Sequence, residues 1–144
     1  MTWIEQLNAI SYFYLTDLHE PGDNQLTFTL EEALAADFDD DFESDSRAEQ
    51  HDLPATQEAR AFEVRFTNYI AYAVRNESFA INDDYEVYLG SLARVYERSR
   101  FLDFVASSTL ASDTLPGPFE HYGFLCLEHV IDVVAPARPV IVAA

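Results

Sequence analysis

The stretch DFDDDFESD, residues 37–45, places six acids in nine positions, with phenylalanine and serine between them. Acids alternate from Asp37 to Glu43 as they do at the start of a calcium-binding loop, where carboxylate oxygens are the ligands. Such a loop also needs a glycine at its sixth position for a sharp turn and a glutamate at its twelfth. This chain has Phe42 and Ala48 at those positions. We therefore predict no specific metal site here and favour loose condensation of cations.

Two phenylalanines, four residues apart among these acids, predict a docking element. Their rings would insert into a partner while the neighbouring carboxylates steer a basic surface toward them. The predicted partner-binding residues are Phe38, Asp39, Asp40, Asp41, Phe42 and Glu43. A solvated charge run without any function explains the same pattern, so both interpretations stay open.

A second group of chemistry-bearing side chains follows in FEHYGFLCLEHVIDVV, residues 119–134, a pattern that predicts one central strand covered on both faces. In such a strand His121 and His129 would lie about 26 Å apart, too far to share one metal ion. Cys126 and His129 have odd spacing and would point to opposite faces. We therefore predict no metal centre and no catalytic pair. Cys126 is interpreted as a small buried residue and His129 as a hydrogen-bonded histidine.

The polar face of a predicted strand over residues 61–74 offers an alternative site. Glu63 and Arg65 share that face, and Arg75 extends it. A cross-strand salt bridge is the simple interpretation, and a sheet face that binds a small molecule is the functional one. The ligand-binding candidates are Glu63, Arg65, Tyr69, Arg75 and His121. No serine nucleophile elbow or zinc-protease helix occurs, so no catalytic residue is assigned.

Composition excludes several functions. The 144-residue chain has a formal net charge of −18, and its eight basic residues are all arginine. Without lysine there is no Schiff base, no lysine general base and no Walker A phosphate loop. The four glycines lie too far apart for a dinucleotide-binding fingerprint. An acidic chain repels nucleic acid and anionic lipid, so a basic protein or a metal is the better electrostatic partner, and of these we predict the basic protein. A charge of this size also serves solubility alone. We predict no cofactor.

In the N-terminal part, local patterns predict a helix and a hairpin. Thr2 opens a capping box for a short helix. Residues 10–18 and 24–30 predict two strands joined at the turn sequence HEPGD. Residues 29–32 repeat the capping-box pattern, which predicts a helical turn after them.

In the C-terminal part, alternation predicts a long strand over residues 61–74 and a return strand over 85–97. Gly90 predicts a bulge or bend in the return strand. Ser99 is a favourable N-cap for a helix through RFLDFVASST, and residues 136–144 predict an edge strand that two prolines interrupt.

Together these elements predict one α+β domain over residues 1–144. We expect a mainly antiparallel sheet of about five strands, with one or two short helices packed on one face. Residues 31–60 depart from this pattern, since eleven acids against two arginines give them a net charge of −9. Like charges at this density repel one another and seldom pack. We therefore predict a mobile acidic loop at residues 37–58.

Three stretches are similar to a family of uncharacterised bacterial proteins: VRFTNYIAYAVRNESF (64–79), SRFLDFV (99–105) and PGPFEHYGFLCLEHVIDVV (116–134). The resemblance covers the C-terminal half and implies a bacterial source and an intact domain. It implies no catalytic residues, since we know of no activity in that family. Some small acidic proteins of this kind are immunity proteins that neutralise toxins, which is an analogy of type alone.

The leading hypothesis is a non-catalytic protein-interaction module that recognises a basic partner, because charge is concentrated here without a catalytic constellation. A small-molecule-binding protein or enzyme that uses the polar sheet face is the alternative, and assembly through exposed sheet edges is a third. No apolar run reaches about 18 residues, and the N-terminus lacks the features of a secretory signal. The lone cysteine agrees with a reducing compartment, so we predict a cytoplasmic protein with no membrane contact. The oligomeric state stays open.

Overall fold

The structure, a computed structural model, describes residues 2–34 and 58–144 of the chain. Within these residues the α-helices are α1 (Trp3–Asn8) and α2 (Arg100–Ser108), and a short 3₁₀ helix spans Glu77–Phe79. The strands are β1 (Phe13–His19), β2 (Leu26–Glu32), β3 (Ala61–Phe66), β4 (Ala71–Asn76), β5 (Val87–Gly90), β6 (Ala93–Arg98), β7 (Glu120–Leu125), β8 (His129–Ala135) and β9 (Val140–Ala143). The predicted docking residues 38–43, and the predicted mobile loop as far as residue 57, lie outside the described residues.

The strands form two antiparallel sheets. The four-stranded sheet has the order β1–β2–β3–β9, and the five-stranded sheet has the order β4–β8–β7–β6–β5. The predicted α+β class with antiparallel pairing is confirmed, as are the hairpin of β1 with β2 and the edge position of β9. The described residues contain more strands than the sequence predicted. Three segments, each predicted to form one strand, are interrupted by a turn or bend and form two strands each.

The predicted strand over residues 61–74 is two strands that belong to different sheets. β3 ends at Phe66, Asn68 adopts a φ of 53°, and β4 begins at Ala71. Asparagine tolerates this left-handed conformation better than most residues. Phe66 and Tyr72 both contact the core, so the even-numbered apolar pattern continues across the break and hides it.

The predicted return strand over residues 85–97 is a hairpin of β5 and β6. Gly90 has a φ of 103°, and a Cβ atom there would lie 2.1 Å from the carbonyl oxygen of Ala93. Only glycine fits such a position without moving the backbone. The predicted bend at Gly90 is therefore confirmed, and it is sharp enough to reverse the chain.

The predicted central strand over residues 119–134 is also a hairpin, of β7 and β8. Glu128 has a φ of 72° in the turn, and the Cys126 N–H donates to the His129 carbonyl at 2.8 Å. Since β7 and β8 pair side by side, His121 lies opposite Val134. The prediction of one continuous strand is wrong, and with it the separation of about 26 Å between the two histidines that straight-strand geometry gave.

Two of the three predicted helix starts are confirmed. The Thr2 side chain accepts a hydrogen bond from the Glu5 N–H in a complete capping box, and the Ser99 side chain accepts one from the Leu102 N–H. The pattern at residues 29–32 starts no helix within the described part of the chain, because these residues belong to β2 and Leu30 is buried there. Burial in the sheet overrides the local capping signal. No helix of the described residues is long and apolar enough to cross a membrane.

One hydrophobic core joins the two sheets. Phe28 of β2 meets Phe124 of β7 at a ring-centroid distance of 5.2 Å, and Phe66 of β3 meets Tyr122 of β7 at 5.4 Å. Aromatic side chains bury large apolar areas and so contribute strongly to the stability of a core. The five-stranded sheet places its other face toward α2 and a set of polar groups.

Candidate functional site

A buried hydrogen-bond chain crosses the outer face of the five-stranded sheet. Ser99 Oγ lies 2.6 Å from His121 Nδ1, and His121 Nε2 lies 2.7 Å from Asp132 Oδ1. Arg75 Nη2 donates to Asp132 Oδ2 at 3.0 Å. Because a carboxylate only accepts, His121 Nε2 carries a proton, and in the neutral ring Nδ1 accepts from the Ser99 hydroxyl. Every member of the chain thus has a partner.

The register of three strands places these side chains together. Asp132 of β8 lies opposite Ala73 of β4 on one side and Gly123 of β7 on the other. Arg75 lies two residues after Ala73, and His121 lies two residues before Gly123. Both side chains therefore lie on the same face of the sheet as Asp132. Long side chains reach a diagonal neighbour across a strand pair. The hairpin of β7 and β8 thus brings His121 and Asp132 into contact.

Ser99, His121 and Asp132 are the residue types of a Ser–His–Asp catalytic triad, but their geometry gives them a structural role. A nucleophilic serine must reach its substrate, and Ser99 is 0% exposed. Its Oγ also accepts from the Leu102 N–H at 3.0 Å as the N-cap of α2. Tyr96 stacks on the His121 ring at a centroid distance of 4.1 Å and covers one of its faces. The hydrogen-bond chain therefore joins α2 to three strands of the five-stranded sheet.

A cleft of about 300 Å³, called the narrow cleft below, opens on this hydrogen-bond chain. Arg75, His121 and Asp132 line it together with Glu86 and Phe101. His121 uses both ring nitrogens inside the protein, so it presents ring surface to a ligand and no spare nitrogen. The narrow cleft is therefore polar and charged, with a size that suits a small molecule.

A larger cleft of about 720 Å³, called the wide cleft below, shares residues 81, 83 and 86 with the narrow one. Acids predominate among its charged lining residues, which are Glu77, Asp83, Asp84, Glu86 and Arg94. The Arg94 guanidinium lies over the Tyr88 ring, 3.9 Å from its centroid. A cleft with this excess of acids attracts cations.

Large apolar side chains are exposed in the segment that lines the wide cleft. Ile81 lines the cleft and is 73% exposed, and Phe79, two residues earlier, is 82% exposed. Leu89 follows Tyr88 in β5 and is 76% exposed. Apolar groups that gather on a surface beside polar ones mark interaction sites.

Two acids in the wall shared by the clefts have opposite electrostatic environments. Arg100 Nε donates to Asp83 at 2.6 Å, and this hydrogen bond, with a second from the Tyr85 backbone N–H, lowers the pKa of Asp83. Partial burial raises the pKa of Glu86, and the charges of Asp83 and Asp132 raise it further. Glu86 is therefore an acid that a bound cation would stabilise.

The structure brings together two of the five ligand-binding residues predicted from sequence. Arg75 and His121 both line the narrow cleft. Glu63 and Arg65 lie on β3 in the other sheet, where they form an ion pair with each other. A salt bridge was the simple interpretation of that pair, although it lies within one strand and not across two.

Tyr69, the fifth of these residues, lies in the connection between β3 and β4. Its hydroxyl donates to the Glu20 carboxylate, and this hydrogen bond raises the pKa of Tyr69 to about 12. Tyr69 lines neither the narrow nor the wide cleft. The predicted ligand set is thus divided between two sheets and their connection.

Cys126 is buried, as predicted, and burial raises the pKa of its thiol. A thiol that resists ionisation is a poor nucleophile. His129 is half-buried at the start of β8. Among the described residues, no group of three His, Cys, Asp or Glu side chains is positioned to hold a metal ion.

Sequence reasoning missed the roles of three residues, Ser99, Asp132 and Glu86. The sequence identifies Ser99 only as an N-cap, and it does not single out Asp132 within its predicted strand. A signal for Asp132 was present, because one carboxylate inside the apolar run HVIDVV must find partners when the strand is buried. No local pattern distinguishes Glu86 from the other acids of the chain.

The fold and its clefts define this chain as a two-sheet, antiparallel α+β domain with one polar and one acid-lined surface cleft. No family model, no curated protein and no solved structure matches the chain. A proposal for function therefore depends on geometry and charge.

Proposed function

We propose that the protein is a non-catalytic interaction module that binds a basic, extended polypeptide segment in the wide cleft. One observation carries the proposal: residues 77–89 combine exposed apolar side chains with acids that line a cleft of about 720 Å³. Apolar anchors supply most of the affinity in such interfaces, and charge supplies orientation and a faster encounter.

Charge supports a basic polypeptide over other ligands. The chain has a net charge of −18, so nucleic acids and anionic lipid surfaces, which reward clustered cations, are repelled. A simple cation would gain nothing from the exposed side chains of Phe79 and Ile81, whereas a polypeptide offers apolar and cationic groups together.

The position of β5 supports an extended partner. Among the described residues, β5 pairs only with β6 and forms an edge of the five-stranded sheet. Its residues are all exposed, and Tyr88 lines the wide cleft. An extended segment can lie along such an edge, placing alternate side chains in the cleft and in solvent.

The test is binding of a labelled peptide about nine residues long, roughly 30 Å when extended, that alternates arginine and leucine. Fluorescence anisotropy is expected to show saturable binding that weakens steeply between about 0.01 and 1 M salt, as the Debye length falls from about 30 Å to 3 Å. A control peptide with glutamate in place of arginine is expected not to bind. Equal binding of both peptides would contradict the proposal.

A pair of matched variants locates the binding surface. Ile81→Ser removes an apolar anchor from the wide cleft and is expected to weaken peptide binding about tenfold. Val140→Ser makes the same kind of change on β9, where Val140 is 58% exposed on the other sheet, and is expected to leave affinity unchanged. Equal effects of the two substitutions would place the binding surface elsewhere.

The predicted docking residues 38–43 are a separate part of the proposal, in which their charges add long-range attraction for the same basic partner. Replacing the acids of that segment with asparagine and glutamine is expected to slow association and leave dissociation unchanged. We also propose the cytoplasm as the location, since a lone cysteine suits a reducing compartment.

Binding of a small molecule in the narrow cleft is the second candidate function. The observation that favours it is the meeting of Arg75, His121 and Asp132 at a cleft of about 300 Å³. In that case a thermal-shift screen of small polar metabolites is expected to find a ligand that stabilises the wild-type protein and does not bind Arg75→Gln. A ligand that binds both forms equally would contradict this candidate.

A further inference from the structure

Glu86 differs from every other carboxylate of comparable burial in the described residues. Five carboxylate residues there are buried or half-buried: Glu32, Glu63, Asp83, Glu86 and Asp132. Four of them form an ion pair with an arginine, at Arg60, Arg65, Arg100 and Arg75 respectively. Glu86 forms none of these ion pairs, although it is half-buried in the same way. Its carboxylate therefore remains open to a cation from outside the described residues.

The location of Glu86 gives this unpaired charge a use. It precedes the edge strand β5 and lines both the wide and the narrow cleft, so it stands where the two clefts meet. Arg75 and Arg100 line the narrow cleft as well, but they pair with Asp132 and Asp83. These two arginines are therefore committed to other carboxylates, while Arg94 of the wide cleft donates to the Ser91 carbonyl oxygen and lies over the Tyr88 ring.

We infer that Glu86 is the receptor for one arginine side chain of the bound polypeptide. This inference rests on the proposed function and names the group by which the wide cleft selects its partner. A carboxylate has two oxygens side by side, and a guanidinium donates two parallel hydrogen bonds to such a pair of oxygens. Lysine would donate to one oxygen at a time and bind less specifically.

The electrostatic environment of Glu86 agrees with this role and predicts a pH dependence. Partial burial, with the charges of Asp83 and Asp132, raises its pKa in the free protein above 4.5, the ordinary value for glutamate, and the smaller opposing effects of His121 and Arg75 do not cancel this. A bound guanidinium favours the ionised form, so it lowers that pKa in the complex. Binding therefore releases a proton at pH values between the two pKa values, and affinity is expected to rise with pH across that window and to level off above it.

The experiment uses the labelled arginine–leucine peptide and a series in which citrulline replaces one arginine at a time. Citrulline keeps the shape of the side chain and removes its charge. With the wild-type protein, one citrulline position is expected to cost about tenfold in affinity, and the others much less. With Glu86→Gln, affinity for the parent peptide is expected to fall by about the same factor. Citrulline at the sensitive position is then expected to cause no further loss of affinity.

Asp84→Asn is the matched control, since Asp84 is an exposed acid of the same cleft. It is expected to change affinity only slightly and to keep the pH dependence that Glu86→Gln flattens. Parent-peptide binding that is equal in wild type and Glu86→Gln would overturn the inference, while a loss in Ile81→Ser would leave the proposed function intact. A wild-type protein that does not bind the peptide would overturn both.

Discussion

Replacing Asp132 with alanine is expected to destabilise the protein by about 1–3 kcal/mol, the usual cost of leaving a buried donor without its hydrogen-bond partner. The His121 Nε2–H would lose its acceptor in a site where the ring is 1% exposed, so water cannot replace the carboxylate. Arg75 would lose its partner as well, although its side chain is half-exposed and retains contact with water.

Urea unfolding of wild type, Asp132→Ala and Asp132→Asn measures this effect through the midpoint and slope of each transition. Asparagine keeps one oxygen for His121 but places an amide group toward Arg75, so an intermediate loss is expected. Glu63→Ala is the control, because Glu63 is half-buried, its partner Arg65 is exposed, and ion pairs at the surface contribute about 0–1 kcal/mol. Similar losses for Asp132→Ala and Glu63→Ala would contradict the structural role of the buried chain.

Replacing Gly90 with alanine is expected to cost about 3 kcal/mol of unfolding free energy. The φ of 103° is costly for any residue with a Cβ atom, and the new methyl group would meet a backbone oxygen 2.1 Å away. The turn between β5 and β6 must therefore shift. Because Tyr88 and Arg94 of this hairpin line the wide cleft, peptide affinity is expected to fall together with stability.

Gly22→Ala is the matched control for Gly90→Ala. Gly22 has no positive φ, and the nearest atoms to a new Cβ belong to the flexible end of the Gln25 side chain, at 3.2 Å. A change within about 0.5 kcal/mol is expected there, as for most surface substitutions. Thermal and urea unfolding of the two variants compare them directly, and an equal cost at both glycines would show that the turn geometry at Gly90 does not matter.

The fold class and most element positions follow from local patterns in the sequence. Capping residues predict the starts of both helices, and alternation predicts the apolar faces of the strands. The breaks at Asn68 and Glu128 were not predicted, because the apolar pattern runs on through both and neither residue forces a turn by itself. Only the bend at Gly90 was predicted, because the conformational freedom of glycine is a local property that the sequence shows directly.

The contacts of the candidate site depend on those unpredicted breaks. With residues 119–134 taken as one strand, His121 and Asp132 are far apart, and no reasoning from spacing brings them together. Once the segment folds into the β7–β8 hairpin, the same two residues lie within hydrogen-bond distance at 2.7 Å. Glu86 is harder to predict, since its distinction is the absence of a described ion-pair partner, and that depends on the pairing of Arg75 with Asp132 and of Arg100 with Asp83.

The central claim is that a basic polypeptide binds in the wide cleft, and amide chemical-shift perturbation by NMR during titration with the arginine–leucine peptide tests it most directly. The account predicts that the largest shifts cluster at residues 79–94 and 125–130, which form the cleft and its borders, and that Ile81→Ser raises the peptide concentration needed to reach them about tenfold. Shifts confined to the four-stranded sheet, or to residues 37–58 alone, would contradict it.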